Sequence, residues 1–137
     1  MLSTVEKVLF LKSIDLFAQI PGEDLAQVAL ISTEENRDQG DEIFAEGEIG
    51  DALYVVVEGK VRLHQQDRAI SDLGEREFFG EMAILDAESR AVTATVVEYA
   101  RLIKIARDDF QDILTEKPEI AIGIIKMLTR RLRQKLG

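Results

Sequence analysis

The spacing of apolar positions changes twice along the chain, from a helical period to alternation and back again. Over residues 1–31 apolar side chains recur at helical intervals, and Ser3 and Glu6 have the spacing of a capping box. Pro21 and Gly22 interrupt that pattern and restart it. This part of the chain is therefore predicted to form N-terminal helices.

Short alternating runs rich in β-branched residues fill residues 32–106, and glycine marks most of the breaks between them. Runs at this spacing are typical of an all-β sandwich or barrel. Two hairpins are predicted within the segment. The first joins 53–57 to 61–63 at Glu58-Gly59, and the second joins 92–97 to 101–105 near Glu98-Tyr99. We therefore expect a β-roll here.

The helical period returns over residues 107–137 and predicts a pair of C-terminal helices. The first ends before Pro118, since the residue before a proline disfavours helix, and the second starts at Glu119. One apolar stripe is predicted on the last helix, made of Ile120, Ile124, Met127, Leu128, Leu132 and Leu136. Packing on the chain's own roll and pairing with a second copy, as a homodimer, both remain open for this stripe. The basic residues around it are interpreted as a solvated face.

The chain has 137 residues, which suits a single domain with its own core. We expect one mainly β domain over 1–137 with flanking helices, divided into 1–31, 32–106 and 107–137. No internal repeat, low-complexity segment or linker interrupts this order.

Charge and composition narrow the function. The formal net charge is −9, so a whole-surface affinity for nucleic acid or anionic lipid is not expected, and an anionic ligand must meet a local positive site. The absence of cysteine excludes disulfides, thiolate metal sites and cysteine nucleophiles, and it suits the cytoplasm. No run approaches the about 20 apolar residues of a membrane span, so we expect a cytoplasmic protein without its own membrane contact.

The segment 79–93 carries the candidate chemistry. Gly80 allows a close turn, and 82–85 can form a short helix whose first N–H groups suit a phosphate. Arg90 offers a planar fork that matches two phosphate oxygens, and Glu81 offers acceptors to a sugar hydroxyl. A ligand with both groups would satisfy them. The plainer alternative is a surface ion pair between the two side chains.

These residues resemble a known family. The run Phe79-Gly80-Glu81-Met82-Ala83, followed by Arg90-Ala91, is similar to the phosphate-binding cassette of cyclic-nucleotide-binding domains of the catabolite-activator and protein kinase A regulatory-subunit type. The resemblance continues upstream through the glycine-marked runs 47–56 and 58–61, and with the terminal helices it covers nearly the whole chain. It implies a double-stranded β-helix, or jelly-roll-like roll, with N-terminal helices and a C-terminal helix pair.

The resemblance also implies roles. Glu81 would bind a ribose 2′-hydroxyl and Arg90 the cyclic phosphate. The anion cradle would be completed by the backbone amides of Gly80, Met82, Ala83 and Ala91. In the family, cyclic-GMP-selective members often carry a threonine after the arginine, so Ala91 favours cyclic AMP, with cyclic GMP as the second candidate. The family's base-capping residues would fall near Lys135 and Leu136.

The implied function is a regulatory sensor that binds a cyclic nucleotide and transmits binding through its C-terminal helices to an effector or partner not identified by the sequence. We expect no catalytic residue, cofactor or metal. His64, the only histidine, is interpreted as a solvated strand residue. Ser89 stands where many kinase-type members have proline. The alternative is a degenerate fold of the same family that serves as an interaction or dimerisation module.

Overall fold

Helices from both ends of the chain form one compact unit, and the strands form another. The structure, a computed structural model, describes residues 1–84, 86 and 89–136, and it describes only the backbone of Met82. The helical unit combines Met1–Ile31 with the segment that starts at Asp109, and the strand unit is Ser32–Asp108.

The helices lie close to their predicted positions: α1 (Thr4–Lys12), a 3₁₀ turn (Asp15–Phe17), α2 (Gly22–Ile31), α3 (Arg107–Glu116) and α4 (Pro118–Leu136). The predicted capping box is confirmed. The backbone N–H of Glu6 donates to Ser3 Oγ at 3.1 Å, and that of Ser3 donates to Glu6 Oε1 at 3.0 Å. Two donors that the helix itself leaves unpaired are satisfied in this way. None of the described helices is long and apolar enough to span a bilayer.

The apolar residues of α4 divide between two faces, which corrects the single predicted stripe. Four residues are buried: Ile120, Gly123, Ile124 and Met127. A Cβ on Gly123 would come within 2.8 Å of Ile20 Cγ1, so this face approaches the N-terminal helical segment closely. The predicted stripe residues Leu128, Leu132 and Leu136 are exposed, as are Ile122 and Ile125.

The strand unit is a six-stranded antiparallel sheet. Its strands are β1 (Thr33–Arg37), β2 (Glu42–Phe44), β3 (Ala52–Gln65), β4 (Arg68–Leu73), β5 (Phe78–Phe79) and β6 (Thr93–Ala106). The order is β1-β6-β3-β4, β2 also pairs with β6, and β5 pairs with β3. The predicted combination of a mainly β fold and flanking helices is confirmed.

Both predicted hairpins are wrong. β3 runs without a turn through Glu58 and Gly59, and β6 runs through Glu98 and Tyr99. The two long strands pair with each other on both sides of this point, and the register shifts there. Gly59 has φ of +94°, and a Cβ on it would overlap Tyr99 O. The glycine therefore marks a bulge that bends a continuous strand, and glycine is suited to both roles.

An apolar cluster fills one side of the sheet. Along β3, residues 52–56 are all buried. The cluster consists of Phe44, Ala52, Tyr54, Val56, Val61, Leu73, Phe79, Ala94, Val96, Ala100 and Leu102. Ile43, Leu63 and Val92 are partly buried against it. Three of the cluster residues, Phe44, Leu73 and Phe79, also line the pocket described next.

Candidate ligand-binding pocket

A cavity of about 280 Å³ opens beside this cluster, close to the lower end of the ~300–1,000 Å³ typical of small-molecule sites. Its walls are mainly apolar, and Glu81 and Arg90 add opposite charges. The lining residues are Phe44, Leu63, Leu73, Phe78, Phe79, Gly80, Glu81, Ala83, Ser89, Arg90, Ala91 and Val92. An apolar cleft with a few convergent polar groups is the usual form of a ligand site.

The structure brings most of the predicted site residues together. Gly80, Glu81, Ala83, Arg90 and Ala91 all line the cavity. The backbone of Met82 lies in a 3₁₀ turn, Glu81–Ile84, and the side chain of Met82 lies outside the described part of the structure. The short helix was predicted to start one residue later. Its predicted last residue, Leu85, and two further residues of the segment 79–93, Ala87 and Glu88, also lie outside the described residues.

Gly80 adopts a conformation that suits glycine and leaves room for the arginine. Its φ is +76°, and a Cβ there would lie 2.7 Å from Arg90 Nη1 and 2.9 Å from Ala52 O. The chain therefore passes close to the guanidinium at this point. The Ala83 N–H donates to Gly80 O at 3.1 Å, so one of the amides assigned to the anion cradle already has an acceptor within the turn.

The backbone of Arg90 is fixed by a neighbouring turn. The Arg90 N–H donates to Glu48 O at 2.7 Å, and the Gly47 N–H donates to Arg90 O at 2.9 Å. An isolated bridge between Ile49 and Ser89 extends this pairing. Gly47 and Gly50 belong to the glycine-marked breaks of the sequence, but the local pattern does not indicate that this turn holds the arginine.

The guanidinium of Arg90 is partly buried over the aromatic floor of the cavity. Nη2 donates to Ala52 O at 2.8 Å, Nη1 donates to Gly80 O at 3.4 Å, and Cζ lies 4.0 Å from the centroid of the Phe44 ring. Burial lowers the pKa of Arg90 from its ordinary value, while the nearby Tyr54 and acidic residues oppose that shift. Arginine stays charged at neutral pH, so a partly desolvated cation faces the cavity.

Glu81 and Arg90 share the cavity without pairing. Among the ion pairs of the described residues, none joins them, so the plainer alternative of a surface salt bridge is not what the structure contains. Glu81 is partly exposed. The cavity therefore presents a cation and an acceptor as separate groups, which suits a ligand with both an anionic and a hydroxyl end.

The tip of the β3–β4 hairpin also contacts the site, which the sequence did not indicate. Gln65 Nε2 donates to Ala91 O at 3.2 Å. His64 is partly buried, and its Nδ1 and Nε2 lie 2.6 Å from Gln66 O and 2.8 Å from Thr95 Oγ1. The prediction of a solvated histidine is therefore corrected, because the ring links the hairpin tip to β6.

Comparisons with known proteins point to one family. The family model described as "Cyclic nucleotide-binding domain" matches residues 34–117. The N-terminal domain of a transcriptional regulator from Streptomyces coelicolor superposes with a TM-score of 0.84 and 33% identity, and the match covers 92% of this chain and 94% of that one. This likeness confirms the predicted fold class.

Two curated relatives show similar agreement. "Cyclic AMP receptor protein" from Thermus thermophilus is 40% identical over 101 residues, which cover 70% of this chain and 47% of the relative. A "CRP-like cAMP-activated global transcriptional regulator" from Mycobacterium tuberculosis is 33% identical over 101 residues, which cover 70% of this chain and 45% of the relative. The match therefore spans about half the length of these curated relatives.

Proposed function

This chain belongs to the cyclic nucleotide-binding domain family, and we propose that its pocket binds cyclic AMP in preference to cyclic GMP as a regulatory ligand. The proposal is carried by one observation: Arg90 and Glu81 line the same cavity and are not paired with each other. The relatives from Thermus thermophilus and Mycobacterium tuberculosis, whose names refer to cyclic AMP, support the choice of ligand.

Each end of the ligand has a partner in this proposal. Arg90 holds the cyclic phosphate, because its guanidinium is fixed by backbone carbonyls and suits two phosphate oxygens. Glu81 accepts a hydrogen bond from the ribose 2′-hydroxyl. The anion cradle around the cyclic phosphate is completed by the backbone amides of Gly80, Met82, Ala83 and Ala91. The Ala83 N–H, which donates to Gly80 O, would be shared between that oxygen and the phosphate.

The base lies against apolar walls. Leu63, Leu73 and Val92 line the cavity and have no hydrogen-bonding side-chain atoms for a purine edge. Ala91 adds only a methyl group. We therefore expect a modest preference for cyclic AMP, since the guanine amino group gains no hydroxyl partner from Ala91.

We also propose that binding is transmitted to the C-terminal helices and that the domain is a sensor without catalytic activity. The Arg107 N–H, at the first residue of α3, donates to Asp51 O at 2.8 Å. The adjacent Gly50 lies close to Arg90, because a Cβ on it would be 3.0 Å from Arg90 Cζ. If the guanidinium moves when the ligand binds, it would displace the turn at Gly50 and Asp51, which is hydrogen-bonded to the first residue of α3.

Calorimetric titration with cyclic AMP tests the ligand. Truncation of Arg90→Ala removes a charge-assisted pair from a partly buried phosphate, so affinity should fall about 30- to 1,000-fold, equivalent to about 2–4 kcal/mol. Arg90→Lys should recover only part of that loss, because an ammonium lacks the planar fork. The control is Arg62→Ala, which removes an exposed arginine paired with Asp72 on the β3–β4 hairpin.

The same samples test transmission by hydrogen exchange. Cyclic AMP should change the exchange rates of backbone amides in α3 and α4 of the parent. Arg90→Ala should lose this response at equal ligand concentration. If Arg90→Ala binds cyclic AMP as tightly as the parent at an unchanged melting temperature, the phosphate site is assigned wrongly. Binding with exchange altered only around the cavity would contradict transmission alone.

A further inference from the structure

Phe44 lies directly beneath the guanidinium of Arg90. It is the last residue of β2 and only 6% exposed, and Arg90 Cζ lies 4.0 Å from its ring centroid. This is well within the about 6 Å at which a cation over an aromatic face is attracted to it. The phenylalanine thus contacts the charged group itself.

The ring under the arginine is held in place by two others. Phe44 lies 6.2 Å from Tyr54 and 5.9 Å from Phe79 between centroids, and Tyr54 stacks on Phe79 at 5.3 Å with 12° between their planes. All three residues are buried. The orientation of Phe44 is therefore set by a packed aromatic cluster, in which a ring has little freedom to turn away.

Backbone atoms surround other sides of the Arg90 guanidinium. A Cβ on Gly50 would lie 3.0 Å from Arg90 Cζ, and a Cβ on Gly80 would lie 2.7 Å from Arg90 Nη1. The carbonyls of Ala52 and Gly80 accept one N–H each from Nη2 and Nη1. Among the described residues these are the acceptors of the group, and a guanidinium has five N–H donors. Three donors therefore have no acceptor among the described residues.

We propose that Phe44 is a positioning residue for the anion-binding arginine, a platform that fixes the plane of the Arg90 guanidinium without using any of its N–H donors. The proposal rests on the proposed function, since the anion in question is the cyclic phosphate.

An aromatic platform differs from a carboxylate in what it leaves available. A carboxylate partner would fix the arginine by accepting two of its N–H groups and by neutralising its charge, and both would compete with the phosphate. The face of Phe44 attracts the cation through its quadrupole and accepts no conventional hydrogen bond. The guanidinium is thus oriented before binding, with its charge and three donors kept for the ligand.

Phe44 also lines the cavity, so its loss could weaken binding by removing a contact with the ligand. A double-mutant cycle separates the two roles. Phe44→Leu removes the ring but keeps an apolar side chain, and it should weaken cyclic AMP binding about three- to twentyfold. In the Arg90→Lys background the ammonium is still attracted to the ring but has no plane for the ring to fix, so the same substitution should cost less than half as much on a logarithmic scale.

Leu63→Val is the matched control, because Leu63 lines the same cavity and belongs to its apolar wall. Its effect on cyclic AMP affinity should be equal in the parent and Arg90→Lys backgrounds. Phe44→Met is a second variant without a ring, in case Phe44→Leu packs too poorly to fold. Melting temperatures of all variants show whether each affinity was measured on folded protein.

Nuclear magnetic resonance tests the platform without any ligand. The Nε–Hε signal of Arg90, identified by its disappearance in Arg90→Lys, should be shifted upfield by the ring current of Phe44. Both Phe44→Leu and Phe44→Met should remove that shift while other arginine signals stay in place.

An unshifted Arg90 signal in the folded parent would overturn the proposal, as would equal losses of affinity in the two backgrounds. If the parent binds no cyclic nucleotide while the Arg90 signal is shifted, the proposed function is wrong and the stack is only a structural contact. If the parent binds but the cycle shows no coupling, the proposed function stands and the positioning role of Phe44 is overturned.

Discussion

Ala91 is the lining residue in which a single substitution should alter ligand choice. It lines the cavity and follows Arg90 directly. Gln65 Nε2 donates a hydrogen bond to the carbonyl oxygen of Ala91 at 3.2 Å. Its backbone is thus tied to the β3–β4 hairpin, while its side chain is a single methyl group. A larger polar side chain at this position would add a hydrogen-bonding group to the cavity, and the backbone hydrogen bond to Gln65 would be kept.

Ala91→Thr should therefore move the ratio of cyclic AMP to cyclic GMP affinity toward cyclic GMP by about two- to tenfold, the value of one net hydrogen bond. Competition titration with the two nucleotides measures the ratio. Ala69→Thr, at an exposed position on β4, is the control and should leave it unchanged. A ratio that stays fixed in Ala91→Thr would show that this position does not read the base.

Residues with special chemistry were easier to predict than their supports. Gly80, Glu81 and Arg90 combine a turn, an acceptor and a fork in one short segment, so the sequence alone suggested that they belong together. Phe44 and Gln65 lie far along the chain from Arg90, and both read as ordinary strand residues. Their contacts depend on the register of β2 and the β3–β4 hairpin, which local pattern does not encode.

Among the secondary-structure elements, the main error concerns Gly59, which was predicted to lie in a hairpin turn but lies at a bulge within β3. A tight hairpin turn and a glycine-containing bulge can both use a residue with positive φ, so local sequence does not separate them. Strand pairing distinguishes the two, because the residues of β3 on both sides of Gly59 pair with β6. The true hairpin turn lies beyond it at Gln66, with φ of +53°.

Gly59→Ala tests this reading of β3. A methyl group at φ of +94° would overlap Tyr99 O and lie 2.7 Å from Ala100 Cα, so the free energy of unfolding should fall by about 2–4 kcal/mol. Urea denaturation measures the change. Gly22→Ala is the control, since no heavy atom lies within 4 Å of its added Cβ, and it should change stability by less than about 1 kcal/mol. Equal stability of the parent and Gly59→Ala would contradict the bulge.

For the molecule as a whole, the exposed face of α4 bears on its assembly. Ala121, Ile125, Leu128 and Leu132 follow alternating steps of four, three and four, which is the spacing of a coiled-coil seam. Ile125, Leu128 and Leu132 are 58%, 45% and 58% exposed. The sequence left packing on the roll and pairing with a second copy open for one stripe. The division of α4 into two faces leaves this seam exposed on the helix.

We propose that the seam pairs with that of a second copy, and sedimentation equilibrium should then show a concentration-dependent dimer. Each chain carries a net charge of −9, so added salt should strengthen the association by screening repulsion between copies. Leu128→Lys should produce a monomer, because it places a charge in the apolar seam. Ile70→Lys changes a residue of similar exposure, 49%, on β4 and should leave the dimer intact. A parent that stays monomeric at every concentration, or equal disruption by both substitutions, would show that the seam is not the contact between copies.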